Sequence, residues 1–176
     1  MAKPTFPVPI DILKAKIKYH DFDAGESIKL TNKIMIETCL LNHPKGATGY
    51  RVNFEGKSVC YVTDTEHKKE GLDENILKLA KDSDLLIYDS TYTEEEYPNF
   101  VGWGHSTWQE GLRLSKEAGV KNYAIFHHDP AHDDDFMDKV DLKAKNEFVR
   151  AFVAKEGMEI SFEGNNVNFG IFDNKP

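Results

Sequence analysis

The sequence predicts an α/β fold built as one domain over residues 1–176. Segments rich in β-forming residues alternate with segments whose apolar residues follow helical spacing, which is typical of layered α/β folds. Several β-rich segments are followed directly by a polar residue that can bind a ligand. At 176 residues the chain is long enough to bury a core of its own.

The first half of the chain is rich in β-branched and aromatic residues. Residues 34–41, 49–54 and 58–63 have the composition of strands. The last two flank a short turn containing Gly56, so we expect a β-hairpin. Apolar residues at helical spacing, with acids in the first turn, then predict a helix over 73–81.

The second half alternates the two kinds of segment. Residues 84–89 are apolar and end in a carboxylate, which suits a buried strand that opens on a site. Ser106 or Thr107 can cap a helix that runs to Ala118. The remaining predicted elements are a strand at 121–126, a long amphipathic helix at 134–154, and two strands at 158–162 and 167–172 around a turn at 163–166.

Composition narrows the possible functions. The net charge of -8 argues against broad binding of nucleic acid, whereas a small phosphorylated substrate remains compatible if a metal supplies positive charge. Cys39 and Cys60 lie on separate apolar segments, which favours buried free thiols in a reducing compartment. No apolar run approaches the roughly 18 residues needed to span a bilayer, and residues 1–11 have no apolar signal core. We therefore expect a cytoplasmic protein without membrane contact.

Histidine and aspartate follow the predicted strands. Three of the seven histidines fall within residues 127–132, and His43, Asp64 and His127 each follow an apolar strand, while His105 precedes a helix cap. Such strand ends converge on one rim of an α/β fold, and these residue types bind borderline divalent metals. Each residue alone is a weak signal, so the prediction of a metal or catalytic cluster depends on their joint placement.

The order of five motifs makes a resemblance specific. They are LNHPKGATGYR at 41–51, YVTDTEH at 61–67, DLLIYD at 84–89, GHST at 104–107 and FHHDP at 126–130. From about Phe6 to Asp135 the chain resembles the metallo-β-lactamase superfamily, in the phosphodiesterase-type branch that includes transfer-RNA 3′-processing nucleases. The resemblance implies an αββα sandwich around a two-metal site, with zinc, or manganese or iron in some members.

The resemblance also implies roles for single residues. His43 resembles the histidine that completes the first metal site, Asp64 the aspartate that bridges both metals, and His127 a ligand of the second metal, with His128 as the alternative register. His105 resembles the histidine that contacts phosphate and protonates the leaving oxygen. Together these residues imply hydrolysis of a small phosphodiester or nucleotide-like substrate by a bridging carboxylate, activated water and a proton donor.

Two further residues are expected to support the site. Asp89 is expected to accept a hydrogen bond that orients a ligand histidine. His67 follows the bridging aspartate closely, which places it among the residues expected to touch substrate.

One departure from the family is large. The superfamily's His-x-His-x-Asp-His motif, which supplies ligands to both metals, does not occur in this sequence. We therefore expect this chain to carry only the C-terminal half of the sandwich, as a mixed sheet with helices on one face. A catalytic zinc normally takes three protein ligands and a water, so His43 and Asp64 alone would leave a site underfilled.

Two functions of different classes follow. In the first, the chain is part of a metallohydrolase that becomes active when the missing half completes its ligands. In the second, it is a half-fold that binds other molecules without catalysis. Removing half of a sandwich exposes an apolar sheet face, so both readings predict a homodimer or association with the missing half.

Overall fold

The computed structural model describes residues 14–163 and 166–171. The predicted N-terminal start, residues 164 and 165 of the turn predicted at 163–166, and the last residue of the predicted strand 167–172 lie outside these residues. The described strands are β1 (Ser27–Lys29), β2 (Ile34–Leu41), β3 (Ala47–Phe54), β4 (Lys57–Val62), β5 (Leu85–Asp89), β6 (Tyr123–Phe126), β7 (Ala151–Val153), β8 (Met158–Glu163) and β9 (Asn166–Ile171). The described α-helices are α1 (Glu74–Ala80), α2 (Trp108–Glu117) and α3 (Asp134–Glu147).

Strands β1 to β7 form one mixed sheet in sequence order. Strands β1 to β4 pair antiparallel, and β4 to β7 pair parallel. The parallel strands are joined by helices, as the geometry of parallel pairing requires. The predicted α/β class with a mixed sheet is confirmed.

The main core lies between this sheet and the three helices. Alternate residues of β4, β5 and β6 point to the helical side, where Val62, Tyr88 and Ile125 are fully buried. Helices α1 and α2 contribute Ile76 and Leu114 to the same cluster. Because all three helices contribute to this one cluster, they pack on a single face of the sheet, as predicted.

The opposite face of the sheet is covered only in part. The antiparallel hairpin of β8 and β9 packs Met158, Ile160 and Phe162 against Leu85, Ala124 and Phe152. Beyond the hairpin, large apolar side chains of the same sheet face remain exposed. We call this surface the open face; its residues are Leu40, Val52, Phe54, Tyr61 and Phe126.

Local sequence signals explain the turns and caps. Glu55 and Gly56, both at positive φ, form the two-residue turn of the β3–β4 hairpin, which confirms the predicted turn. The Thr107 hydroxyl accepts from the amide of Glu110, so Thr107 is the cap of α2. The Asp133 carboxylate likewise accepts from the amide of Phe136 at the start of α3.

The predicted helix over 134–154 is wrong in its last third, after Glu147. Helix α3 ends at Glu147, and Ala151–Val153 forms strand β7 beside β6. All three residues of β7 are buried, on both faces of the sheet. The apolar run that suggested a helix therefore reflects a strand buried on both sides, and pairing with β6 decides its conformation.

Cys39 and Cys60 are free and buried, as expected. Burial raises the pKa of both thiols to about 11, so they stay protonated and unreactive near neutral pH. Among the described residues, no helix has the length and apolar character needed to cross a membrane.

Candidate metal centre

Three parallel strands deliver polar residues to one edge of the sheet. Asp64 follows β4, Asp89 ends β5 and His127 follows β6. Strand β2 runs in the same direction as β4, since each is antiparallel to β3, and it is followed by His43. The convergence predicted from the strand ends is therefore present.

At this edge Asp64, His105 and His127 each offer one ligand atom, and the three atoms lie within 4.8 Å of one another. Nε2 of His127 is 3.9 Å from Oδ1 of Asp64. The rings of His105 and His127 stack with centroids 5.1 Å apart. All three side chains are partly exposed, so a cation can reach them from solvent.

The carboxylate of Asp89 is fully buried and holds this arrangement. Its Oδ2 accepts from the amide of Asp64 at 2.9 Å and lies 3.0 Å from Nδ1 of His105. Its Oδ1 accepts from the Thr91 hydroxyl at 2.8 Å and from the Ser106 amide at 3.2 Å. Asp89 thus ties the loops after β4 and β5 to the start of α2.

This contact decides which nitrogen of His105 is free. With Nδ1 donating to Asp89, the Nε2 lone pair is left for a cation. The same hydrogen bond raises the pKa of His105 above its ordinary value of 6.5, and the nearby carboxylates act in the same direction against burial. Nδ1 of His127 lies 3.2 Å from the Thr91 hydroxyl, which leaves its Nε2 facing Asp64.

Two of the three residues have unusual backbone conformations. Asp64 has φ of 59° and His127 has φ of 63°. Non-glycine residues in this left-handed region are uncommon and often occur at functional sites. The fold therefore holds both side chains in positions that an ordinary strand end would not give them.

His43 is adjacent to the trio but outside it. Its ring centroid is 6.5 Å from that of His105. A Cβ on Gly104 would lie 2.3 Å from Cδ2 of His43, so this close approach requires glycine. The structure thus groups His105 with Asp64 and His127, whereas the family resemblance implied His43, Asp64 and His127 as metal ligands and His105 as the proton donor.

His67 and His128 have different surroundings. Nδ1 of His67 is 3.1 Å from the Ser106 hydroxyl, and the ring lines a cleft of about 490 Å³ together with His43 and Lys69. Burial lowers the pKa of His67. Nε2 of His128 is 2.9 Å from the carbonyl of Ile125, outside the group of ligand atoms, and burial lowers its pKa as well.

Glu66 is a supporting residue that the sequence reasoning missed. Its side chain accepts hydrogen bonds from the Tyr97 hydroxyl and from the amides of Gly102 and Gly104. Burial alone would raise the pKa of Glu66, but these hydrogen bonds hold it below its ordinary value of 4.5. The sequence signal that could have pointed to Glu66 is its position two residues after Asp64.

The donor set fits a divalent metal. Two imidazole nitrogens and one carboxylate oxygen are the ligands that zinc takes in sites with three protein ligands and an open position. Asp89 behind His105, and Thr91 behind His127, supply the hydrogen bonds that orient such ligands. The described trio offers the three protein ligands that one such ion would take.

The pattern of the β-lactamase superfamily domain matches residues 4–128, well over half of the chain. The chain belongs to this superfamily. A Ribonuclease Z of Sulfurisphaera tokodaii is 34% identical over 131 residues, which are 74% of this chain and 38% of that protein. The present chain therefore spans less than half the length of that Ribonuclease Z.

Solved structures show the same fold. The metallo-β-lactamase fold protein YhfI of Bacillus subtilis superposes with a TM-score of 0.64 at 21% identity, over 85% of this chain and 53% of that one. The short form of human tRNase Z gives a TM-score of 0.59 at 18% identity, over 78% of this chain and 46% of that one. At these identities the likeness concerns the fold, and it confirms the architecture that the sequence resemblance implied.

Proposed function

We propose that this chain forms part of the active site of a divalent-metal-dependent phosphodiesterase. The observation that carries the proposal is the approach of Asp64, His105 and His127 to within 4.8 Å, at the edge where the parallel strands end. A divalent cation held there supplies Lewis-acid activation of water and of a phosphoryl oxygen. Membership of the superfamily supports the use of such a cation.

The side chains then have the following tasks. Asp64 and His127 would hold the cation, and His43, whose ring centroid lies 6.5 Å from that of His105, would complete the ligands of a first metal in the whole site. His105 has two possible tasks, either as a ligand through Nε2 or as the proton donor to the leaving oxygen. The hydrogen bond from its Nδ1 to Asp89 serves both, because it fixes the ring and favours the protonated form that a donor needs.

The substrate we propose is a phosphodiester of nucleotide type. The relatives named Ribonuclease Z and tRNase Z act on RNA by name, which favours an RNA phosphodiester. The net charge of -8 argues against a broad basic footprint, so we expect recognition to concentrate near the cleft beside His43 and His67. Lys68 and Lys69 line this cleft and offer charge to a substrate phosphate.

Zinc is the metal we propose, since imidazole and carboxylate ligands in a three-ligand site suit it; manganese and iron are the alternatives. The free, buried cysteines suit a reducing compartment, and we propose the cytoplasm. A second metal needs ligands beyond the trio, and we propose that they come from another chain or segment.

The open face supports a partner. Exposed Val52, Phe54 and Tyr61 are typical of a sheet surface that another apolar layer covers. We propose that this layer is a second copy of the chain or the half that bears the missing ligands. The same observation supports the second candidate function, a half-fold that associates through this face and binds without catalysis.

One preparation tests both functions. The purified chain is run on a sizing column with light scattering, and each fraction is assayed for metal by plasma mass spectrometry and for hydrolysis of a bis-aryl phosphodiester. We expect about one zinc per chain and an assembly larger than a monomer. Zinc retention without hydrolysis would indicate that catalysis needs further metal ligands from a partner, whereas a metal-free dimer would favour the non-catalytic function.

Two variants assign the ligands. H127A should lose zinc, whereas H128Q is the matched control and should keep it, because His128 bonds the Ile125 carbonyl outside the trio. H105A separates the two tasks of His105: loss of zinc identifies a ligand, and loss of hydrolysis alone identifies a proton donor. Equal zinc affinity in wild type and H127A would overturn the proposed metal site.

A further inference from the structure

Glu66 contacts neighbours of two site histidines. Its backbone amide donates to the carbonyl of Asn42 at 2.7 Å, and the side-chain amide of Asn42 donates back to the carbonyl of Glu66 at 2.9 Å. Asn42 directly precedes His43. On the other side, the Glu66 carboxylate accepts from the amide of Gly104, which directly precedes His105, at 3.1 Å.

The carboxylate is almost fully enclosed by donors. Glu66 is 9% exposed. Its Oε1 accepts from the Tyr97 hydroxyl at 2.6 Å and from the Gly102 amide at 2.8 Å, and its Oε2 lies 3.0 Å from the same Gly102 amide. A buried carboxylate with this many donors fixes the segment that supplies them, because each broken bond would leave a buried polar group unpaired.

The fixed segment is the one that carries His105. Gly102 and Gly104 have φ of 90° and 87°, a conformation that lets their amides turn toward one carboxylate. Gly104 also has no room for a side chain, since His43 packs against it. Gly104 therefore packs against the His43 ring and donates its amide to Glu66, and His105 is the next residue.

We propose that Glu66 is a positioning residue of the candidate metal centre, which sets the place of the His105 ring relative to Asp64 and His43. Asp89 holds His105 from the ring side through Nδ1, and Glu66 holds it from the backbone side through Gly104. Since Glu66 lies two residues after Asp64, its bond to the Gly104 amide also ties the segment of His105 to the loop of Asp64. The consequence for zinc affinity rests on the function proposed above, but the placement of the ring does not.

The test compares E66Q with E96Q in the full chain. A glutamine at 66 keeps the shape but replaces one acceptor oxygen by a donor, which opposes the Gly102 and Gly104 amides. Glu96 is the matched control: its carboxylate accepts from the amide and hydroxyl of Thr93 and bonds His132, away from the trio. Both variants should lose some stability against urea.

The readout that separates the roles is the His105 ring. Nitrogen-15 NMR of the histidine side chains reports the tautomer and surroundings of His105, with its signals assigned by the loss of peaks in H105Q. We expect E66Q to shift the His105 signals in the metal-free chain and to weaken zinc binding about tenfold. E96Q should leave both unchanged.

Unchanged His105 signals in folded E66Q would overturn the proposal, and Glu66 would then only stabilise the loop that contains Gly102 and Gly104. If the wild-type chain binds no zinc, the proposed metal function fails, but the ring signals of E66Q still decide the role of Glu66. If E66Q does not fold, Y97F removes one donor to the same carboxylate and keeps the ring contact between residue 97 and His67. It should shift the His105 signals in the same direction by a smaller amount, and no shift would overturn the proposal.

Discussion

An aspartate is buried at each end of strand β5, but the two carboxylates have different partners. Asp84, just before the strand, is 4% exposed, and Asp89, at its end, is fully buried. Asp84 accepts from the amide of Ser58 and lies 2.9 Å from Nζ of Lys121, with Nζ of Lys57 at 3.8 Å. Asp89 also accepts from amides and a hydroxyl, but its basic partner is the ring of His105.

The difference lies in the basic partners of the two carboxylates. Two lysines balance the charge of Asp84. Asp89 bonds Nδ1 of His105 instead, so its charge would strengthen the attraction of Nε2 of that ring for a cation. Burial alone therefore does not identify a functional aspartate in this fold. The identity of the donors does.

The largest effect is expected from D89N. The amide nitrogen of asparagine would take the place of Oδ2, opposite the Asp64 amide and Nδ1 of His105, or the place of Oδ1, opposite the Ser106 amide, so a contact breaks in either orientation. We expect zinc affinity to fall about 10- to 100-fold and the free energy of unfolding to drop by about 2–4 kcal/mol. Calorimetric zinc titration and urea unfolding in metal-free buffer measure the two. Wild-type zinc affinity in D89N would show that Asp89 does not orient His105.

D84N should destabilise the fold without changing the affinity for zinc. Burial alone raises the pKa of Asp84, but the Lys121 and Ser58 contacts outweigh it and hold the pKa below 3.8. A carboxyl with a depressed folded pKa stabilises the fold above its unfolded pKa and loses this effect as the pH falls through the folded value. We expect a loss of about 1–3 kcal/mol at pH 7.

The pH dependence of that loss is part of the prediction. The difference between wild type and D84N should be constant near neutrality and shrink as the pH falls below 3.8, where the carboxyl takes up a proton in the unfolded chain before it does so in the folded one. Urea unfolding at several pH values checks it. Zinc affinity should equal that of wild type, and a fall like that of D89N would erase the contrast between the two ends of β5.

Much of this contrast could be predicted from the sequence. The strand 84–89 with a carboxylate at its end, and the polar residues after the neighbouring strands, follow from local patterns. The placement of Asp64 and His127 at one edge follows from parallel pairing alone. The supporting role of Asp89 was also expected.

Other features depend on contacts between distant parts of the chain. The role of Glu66 arises from the amides of Gly102 and Gly104, and no local pattern shows which way those amides point. Strand β7 was taken for helix because its apolar residues fit either period, and only the edge of β6 decides between them. The grouping of His105 with the ligand atoms likewise requires the three-dimensional arrangement.

The smallest effect is expected from K121M, which removes one lysine from Asp84 and keeps an aliphatic side chain. The Lys121 side chain is 50% exposed, so solvent screens its ion pair with Asp84, and Lys57 remains near the carboxylate. We expect a loss below about 1 kcal/mol, which decreases further in high salt, and no change in zinc affinity. Urea unfolding at low and high salt measures it. A loss as large as that of D84N would mean that Lys121 alone balances the charge of Asp84. Each aspartate of β5 would then depend on a single basic partner, Lys121 for Asp84 and His105 for Asp89.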